Sequence, residues 1–129
     1  MLKACALNVR LQHGYKSVVI AAKNNRAAKL VCGVTLASLL PVDRLNHKKN
    51  EFRVAALASL RRRFTGVKLL MVDEKSLVPL EDLFNLNKYL ALAFPELSHL
   101  PFCGFSIILI GDYYQLPPVQ VRSMSILLI

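Results

Sequence analysis

Apolar residues along this chain come in short bursts, and the spacing within each burst indicates the element it forms. Leu2, Cys5, Ala6 and Val9 recur at helical intervals and Gly14 supplies a stop, which predicts a helix over residues 2–13. Val18-Val19-Ile20-Ala21-Ala22 is a continuous apolar run of strand length. After the polar turn Lys23-Asn24-Asn25, the small residues Ala27 and Ala28 begin a short helix that Gly33 is expected to end. The segment from Thr35 to Leu40 closes at Pro41.

A charged connection, DRLNHKKNE, precedes a helix expected over residues 52–64, with Val54, Leu57, Ala58 and Leu60 as its buried face. Arg61, Arg62 and Arg63 at its end complement the negative end of the helix dipole, a reading preferred to a dedicated DNA patch. Lys68 to Val72 reads as the second strand. Pro79 suits the first turn of another helix, with Glu81 and Asp82 at its positive end and Leu80, Leu83, Phe84 and Leu90 as its apolar stripe. That helix stops before Pro95, and the turn Pro101-Phe102-Cys103-Gly104 feeds a third strand, Phe105 to Ile110. Alternation of strands with helices predicts an α/β domain with a parallel sheet covered on both faces.

Two of these strands end abruptly on polar groups. Leu69-Leu70-Met71-Val72 runs into Asp73-Glu74, and Ile107-Ile108-Leu109-Ile110 runs into Gly111-Asp112-Tyr113-Tyr114-Gln115. A buried parallel strand delivers the residues after it to the carboxyl edge of the sheet, where α/β proteins bind ligands. Asp73 there could hold magnesium, which takes one or two carboxylates and keeps several waters. Glu74 could accept a proton from a water attacking a terminal phosphate, and Gln115 has the donor and acceptor needed to sense a phosphate oxygen or that water. A salt-bridged loop with Lys75 and a solvated Gln115 before a polyproline segment are the plainer readings. Gly111 permits a sharp turn after the strand, Asp112 could cap the next segment, and Leu116-Pro117-Pro118-Val119 would hold an extended exit.

Charge bears on the partner. The formal net charge is +9, and no acidic residue precedes Asp43, whereas Lys3, Arg10, Lys16, Lys23, Arg26 and Lys29 all do. Such a surface favours a polyanion, most simply a nucleic-acid backbone, although a solvated basic face is the equal alternative. The 3 cysteines and 3 histidines are scattered, which argues against a zinc site or a disulfide framework and fits a reducing compartment. No apolar run approaches the ~18 residues that span a bilayer, so no membrane partner is expected. The acid-free start could pass for a mitochondrial transit peptide, but it has few serines and runs straight into a strand.

The string GVKLLMVDEKSLV, followed some thirty residues on by PFCGFSIILIGDYYQLPPV, resembles the second and third motifs of the Pif-one/RecD-like ATP-dependent DNA helicases of superfamily one, including the Helitron helicases. VVIAAKNNRAAKLVCGVTLASLL is similar to the same family's single-strand-contacting motif. The resemblance covers residues 2–119. It implies a three-layer parallel sheet of the RecA-like P-loop NTPase type, truncated at both ends, with residues 1–129 a partial motor domain. Within it the single-strand motif would occupy 18–40, the Walker B region 68–78 and the third motif 105–119.

By that resemblance Asp73 holds the magnesium, Glu74 is the general base, and Gln115 senses the terminal phosphate of ATP and couples it to DNA movement. Lys23, Asn24, Arg26 and Thr35 fall where the DNA strand is approached. Lys23-Asn24-Asn25 replaces the family's usual Pro-Thr-Gly, Ala37 stands in place of a histidine, and Lys75 in place of an apolar residue. The implied function is ATP-dependent DNA unwinding, five-prime to three-prime, with ATP and single-stranded or forked DNA as partners, in repair, recombination and telomere maintenance. The implied location is the nucleus, with the mitochondrion second.

The 129 residues contain no G-x-x-x-x-G-K-[ST] phosphate-binding pattern. The expectation is therefore that the isolated chain is inactive, its first helix being the one that follows the missing loop. A nonenzymatic single-strand-binding module and a different nucleotide-dependent enzyme remain the alternatives. Asp73 and Gln115 are expected to end neighbouring parallel strands.

Overall fold

The structure, a computed structural model, describes residues 1–40 and 49–112, with the side chains of 49–53 excepted. The elements are α1 (Leu2–His13), β1 (Val18–Ala22), α2 (Asn25–Leu30), β2 (Val34–Thr35), α3 (Leu36–Leu39), α4 (Lys49–Phe64), β3 (Leu69–Asp73), α5 (Leu80–Ala93) and β4 (Ser106–Leu109). The four strands form one sheet in the order β2-β1-β3-β4, every neighbouring pair parallel. Two central strands with apolar side chains on both faces need cover on both faces, and helices supply it.

On one face Leu36, Leu39, Leu60, Phe64, Leu86 and Leu90 pack against Ala21, Leu70 and Val72, so α3, α4 and α5 make one layer. On the other, Ala6 and Val31 lie against Val18, Ile20, Leu69 and Met71, with Ala22 packed on Ala27 and Ala28, so α1 and α2 make the second. Phe105 bridges the aromatic side chains of Phe64 and Phe94, its ring centroid 5.3 and 5.4 Å from theirs. The layered α/β architecture expected from the alternation of elements is what forms.

Several local expectations need correction. In α4 the buried face is Leu60 and Phe64 with Leu57 beside them, whereas Val54 and Ala58 are exposed. Each helical residue advances by roughly 100°, so Ala58 turns well off the line through Leu57, Leu60 and Phe64. In α5 Leu83 and Leu90 are buried as expected, Leu80 is half-buried, and the stripe passes through Leu86 rather than Phe84, which is 68% exposed. Pro79 caps this helix from just outside its first turn.

Cys5 on α1 is exposed, leaving Ala6 as the buried residue between half-buried Leu2 and Val9. The residue that ends α2 is Cys32, left-handed at φ 54°, with its N–H on the Lys29 carbonyl while that of Gly33 reaches Ala28. Gly33 is needed for another reason: a Cβ there would stand 2.5 Å from the carbonyl oxygen of Ile20. The short strand β2 that Gly33 introduces had no distinct signal in two residues.

The arginine triplet does lie in the last turn of α4, and Arg61 has a more specific task than dipole compensation. Its Nη1 donates to the Ala93 carbonyl at 2.6 Å, its Nη2 meets Glu96 Oε1 at 2.7 Å, and its guanidinium lies 4.9 Å from the Phe94 ring centroid. It ties the end of α4 to the end of α5. The Arg61 hydrogen bond and charge hold the Glu96 carboxyl below its ordinary range.

Candidate functional site at the carboxyl edge

Register places the site. Thr35 pairs with Ala22 and Ala22 with Asp73, so the carboxyl ends of β2, β1 and β3 lie in one row. β4 joins beside β3, with Val72 opposite Leu109 and the Ile110 N–H donating to the Val72 carbonyl at 2.8 Å. Four consecutive loops therefore leave the sheet along a single rim. Asp73 is the last residue of β3, half-buried, and Glu74 follows it.

Glu74 adopts the left-handed conformation at φ 55°, ψ 48°, a region that costs a non-glycine residue roughly 1–2 kcal/mol. The next backbone groups hold it there: the Lys75 N–H donates to the Ile110 carbonyl at 2.9 Å and the Leu77 N–H to the Glu74 carbonyl at 2.9 Å. This close approach of the β4 exit requires glycine at 111. A Cβ there would lie 2.7 Å from the Lys75 nitrogen and 3.3 Å from the Glu74 carbonyl carbon, at φ 153°. The chain makes no tight turn at Gly111, contrary to expectation; what glycine supplies there is the room that lets β4 run against the residue after the acidic pair.

On the other flank, the β1 loop is fastened to the same edge. Asn24 uses both ends of its amide: Oδ1 accepts from the Ala27 N–H at 2.8 Å, capping α2, and Nδ2 donates to Glu74 Oε2 at 3.3 Å. Lys23 Nζ meets Asp82 Oδ2 at 2.7 Å, joining the end of β1 to the first turn of α5. Lys23 and Asn24 are thus engaged with acidic partners, while Arg26 in the first turn of α2 is exposed. Thr35 Oγ1 accepts from the Ser38 N–H at 3.2 Å and caps α3. Neither the Lys23–Asp82 pair nor the Asn24–Glu74 bond had a sequence signal, because their partners are 59 and 50 positions apart.

Asp73, Glu74, Lys23, Asn24 and Thr35 are brought to one rim. Gln115 and the Leu116–Val119 exit lie outside the described residues, as does the segment that Asp112 would cap. β3 and β4 are neighbours, so the chain heading for Gln115 leaves the sheet beside Asp73. Among the described residues no group of three or more His, Cys, Asp or Glu side chains could enclose a metal. A single half-buried carboxylate such as Asp73, which accepts no side-chain hydrogen bond among the described residues, suits magnesium that keeps its waters and takes remaining oxygens from a phosphate.

Comparison with known proteins gives this rim a context. The family model described as PIF1-like helicase matches residues 1–126. The chain is similar to the ATP-dependent DNA helicase PIF1 of Saccharomyces cerevisiae, 31% identical over 115 residues, covering 84% of this chain and 13% of that protein. Among solved structures it resembles the Pif1 helicase from Candida albicans, at 26% identity and TM-score 0.74, covering 95% of this chain and 28% of that one. It also resembles the Pif1 helicase from Bacteroides in complex with ADP-AlF3 and single-stranded DNA, at 34% identity and TM-score 0.58, covering 87% and 26%. The chain spans about an eighth of the yeast protein's length, as the 13% coverage states. The fold is that of the RecA-like layer these helicases share.

Proposed function

The chain belongs to the PIF1-like helicase family, and from that premise we propose that its carboxyl rim is the hydrolytic end of an ATP site in a DNA helicase. The observation that carries the proposal is the placement of Asp73-Glu74 between two loops, the β1 loop held through Asn24 and the β4 exit held through Lys75 and Gly111. Relatives named ATP-dependent DNA helicases, and a similar structure holding a nucleotide analogue and single-stranded DNA, support it.

In this reading Asp73 holds magnesium, which when bound neutralises charge on the phosphates. Glu74 orients the attacking water and accepts its proton, with its backbone already in the conformation that turns it off the strand. Gln115 senses the terminal phosphate. Lys23, Asn24, Arg26 and Thr35 face the DNA strand, with Arg26 the exposed cation of the set. The substrate is single-stranded or forked DNA, translocation runs five-prime to three-prime, and the work belongs to repair, recombination and telomere maintenance in the nucleus or mitochondrion.

Phosphate binding in such a site comes mainly from backbone donors and a lysine in a glycine-rich loop. These 129 residues have no such loop, so the isolated chain is expected to bind ATP weakly and not to hydrolyse it. The test therefore transplants residues 1–126 into the matching segment of the yeast relative and measures DNA-stimulated ATP hydrolysis. Glu74→Gln in that chimera should lower kcat by about 10²-fold or more while leaving ATP affinity intact, because general base catalysis supplies about 10²–10⁴. Hydrolysis unchanged by Glu74→Gln would remove the proposed role.

A further inference from the structure

The opposite rim of the sheet carries a different charge. Strands β1, β3 and β4 start there, and α1 and α4 end there because each leads directly into a strand. Arg10, Lys16, Arg61, Arg62, Arg63 and Lys68 come with those ends. Of the described carboxylates, Asp73, Glu74, Glu81, Asp82 and Asp112 belong to the carboxyl side, through the end of β3, the first turn of α5 and the exit of β4. Glu96 is at the amino side and is taken by Arg61. Among the described residues, charge is separated along the strand direction, the amino rim setting those six cations against the single carboxylate of Glu96.

Within that rim one cluster has a defined shape. The Lys68 N–H donates to the Ser17 carbonyl at 2.8 Å, and Lys68 Nζ stands 3.5 Å from His13 Nδ1, bringing the end of α1 and the start of β3 together. Tyr15, in the turn between α1 and β1, is 77% exposed, with the Arg10 guanidinium 4.5 Å from its ring centroid. Arg10 is itself held by the Val18 carbonyl at 3.4 Å. The cluster is an aromatic ring backed on one side by a planar cation and open to solvent, with Lys16 next to it in the chain and Lys68 bonded to the same short turn at Ser17.

We infer that this amino rim is a second nucleic-acid contact, in which a base of a single strand stacks on Tyr15 while Lys16 and Lys68 hold the neighbouring phosphates. A flat exposed ring beside point charges matches the alternation of bases and phosphates in a single strand. An anionic membrane offers phosphates without bases; it would engage the exposed Leu7 and Leu11 of α1 instead of Tyr15. The contact is remote from Asp73 and Glu74 and needs no nucleotide, so it stands or falls separately from the proposed ATP site.

The test titrates the 129-residue chain, without nucleotide, into a fluorescently labelled mixed-sequence DNA strand of about 20 nucleotides over a range of potassium chloride concentrations. Combining Lys16→Glu with Lys68→Glu should flatten the slope of log affinity against log salt by about 1.4, from two phosphate contacts at ~0.7 each on a single strand. Tyr15→Ala should weaken binding about fivefold or more without changing that slope, and Tyr15→Phe should restore it. Lys16→Glu alone, at an exposed turn, provides the same reading at half size if the Lys68 change impairs folding.

An abasic oligomer should lose the Tyr15 effect and keep the lysine effect. Slopes unchanged by the lysine variants, with the loss of binding confined to Arg26→Glu, would overturn the inference and leave contact to the carboxyl rim. Equal binding by parent and Tyr15→Ala would overturn it too. So would binding to phosphatidylserine vesicles with none to DNA.

Discussion

Replacing Gly111 with alanine tests how the acidic edge is built. The added Cβ would meet the Lys75 nitrogen at 2.7 Å, Lys75 Cγ at 3.0 Å and the Glu74 carbonyl carbon at 3.3 Å, so backbone and not a flexible side-chain tip has to move. Overpacking of this kind costs about 1–3 kcal/mol. The backbone conformation, φ 153°, adds about 1–3 kcal/mol for any residue with a side chain. The expected loss is therefore about 2–6 kcal/mol. With a urea slope of about 2 kcal/mol per molar, the unfolding midpoint should fall by about 1–3 M.

Gly33→Ala provides the comparison. Its Cβ would lie 2.5 Å from the Ile20 oxygen without an unusual φ, so only the overlap part, about 1–3 kcal/mol, applies. Equilibrium urea unfolding followed by circular dichroism measures both, and amide exchange at Lys75 shows whether the bond to the Ile110 carbonyl opens. A Gly111→Ala midpoint within about 0.2 M of the parent, with Lys75 still protected, would refute the tight β4 exit and the support it gives Glu74.

Leu86→Ala should cost about 2–5 kcal/mol, whereas Phe84→Ala, at a ring 68% exposed, should change stability by less than about 0.5 kcal/mol; thermal unfolding of the two variants distinguishes them. Glu96 has a carboxyl pKa lowered by Arg61, so its contribution is present above the unfolded-state value and fades as pH falls through the folded-state one. The difference in melting temperature between parent and Glu96→Gln should accordingly be present at neutral pH and disappear in acid. Burial pushes the Cys103 thiol up, with the nearby Glu96 charge adding to it, and the residue is buried, whereas Cys5 and Cys32 are exposed. Iodoacetamide on the native chain should label Cys5 and Cys32, and Cys103 only after unfolding.

The layered α/β architecture was legible because buried parallel strands are nearly uniform in apolar character, as in Val18–Ala22 and Leu69–Val72, and because breakers such as Gly14 and Pro95 stand between elements. Within helices the period alone was a weaker guide. Phe84 is apolar and stands four positions after Leu80, yet the surface that α5 covers is the one reached by Leu83, Leu86 and Leu90. Strand ends followed by polar residues marked the rim correctly, since a strand's direction determines where its successors emerge.

The fastening of that rim was not legible. Lys23–Asp82 and Asn24–Glu74 join positions whose proximity depends on β1 lying next to β3, and no local pattern encodes that order. The same holds for the amino rim, where His13 and Lys68 come together across 55 positions. Charge counted along the sequence showed an acid-free opening third. Only the sheet direction reveals that all the described carboxylates but Glu96 collect at one end, while Arg10, Lys16, Lys68 and the arginine triplet come to the other.

In the proposed site Asp73 and Glu74 stand where the terminal phosphate of ATP is attacked. A crystal structure of the yeast chimera carrying residues 1–126 with ADP and an aluminium fluoride tests it most directly. The Glu74 carboxylate should lie within hydrogen-bond reach, about 2.6–3.2 Å, of the water facing the fluoride, with Gln115 beside it. A Glu74 side chain still on Asn24 and remote from that water, or a Gln115 directed elsewhere, would contradict it.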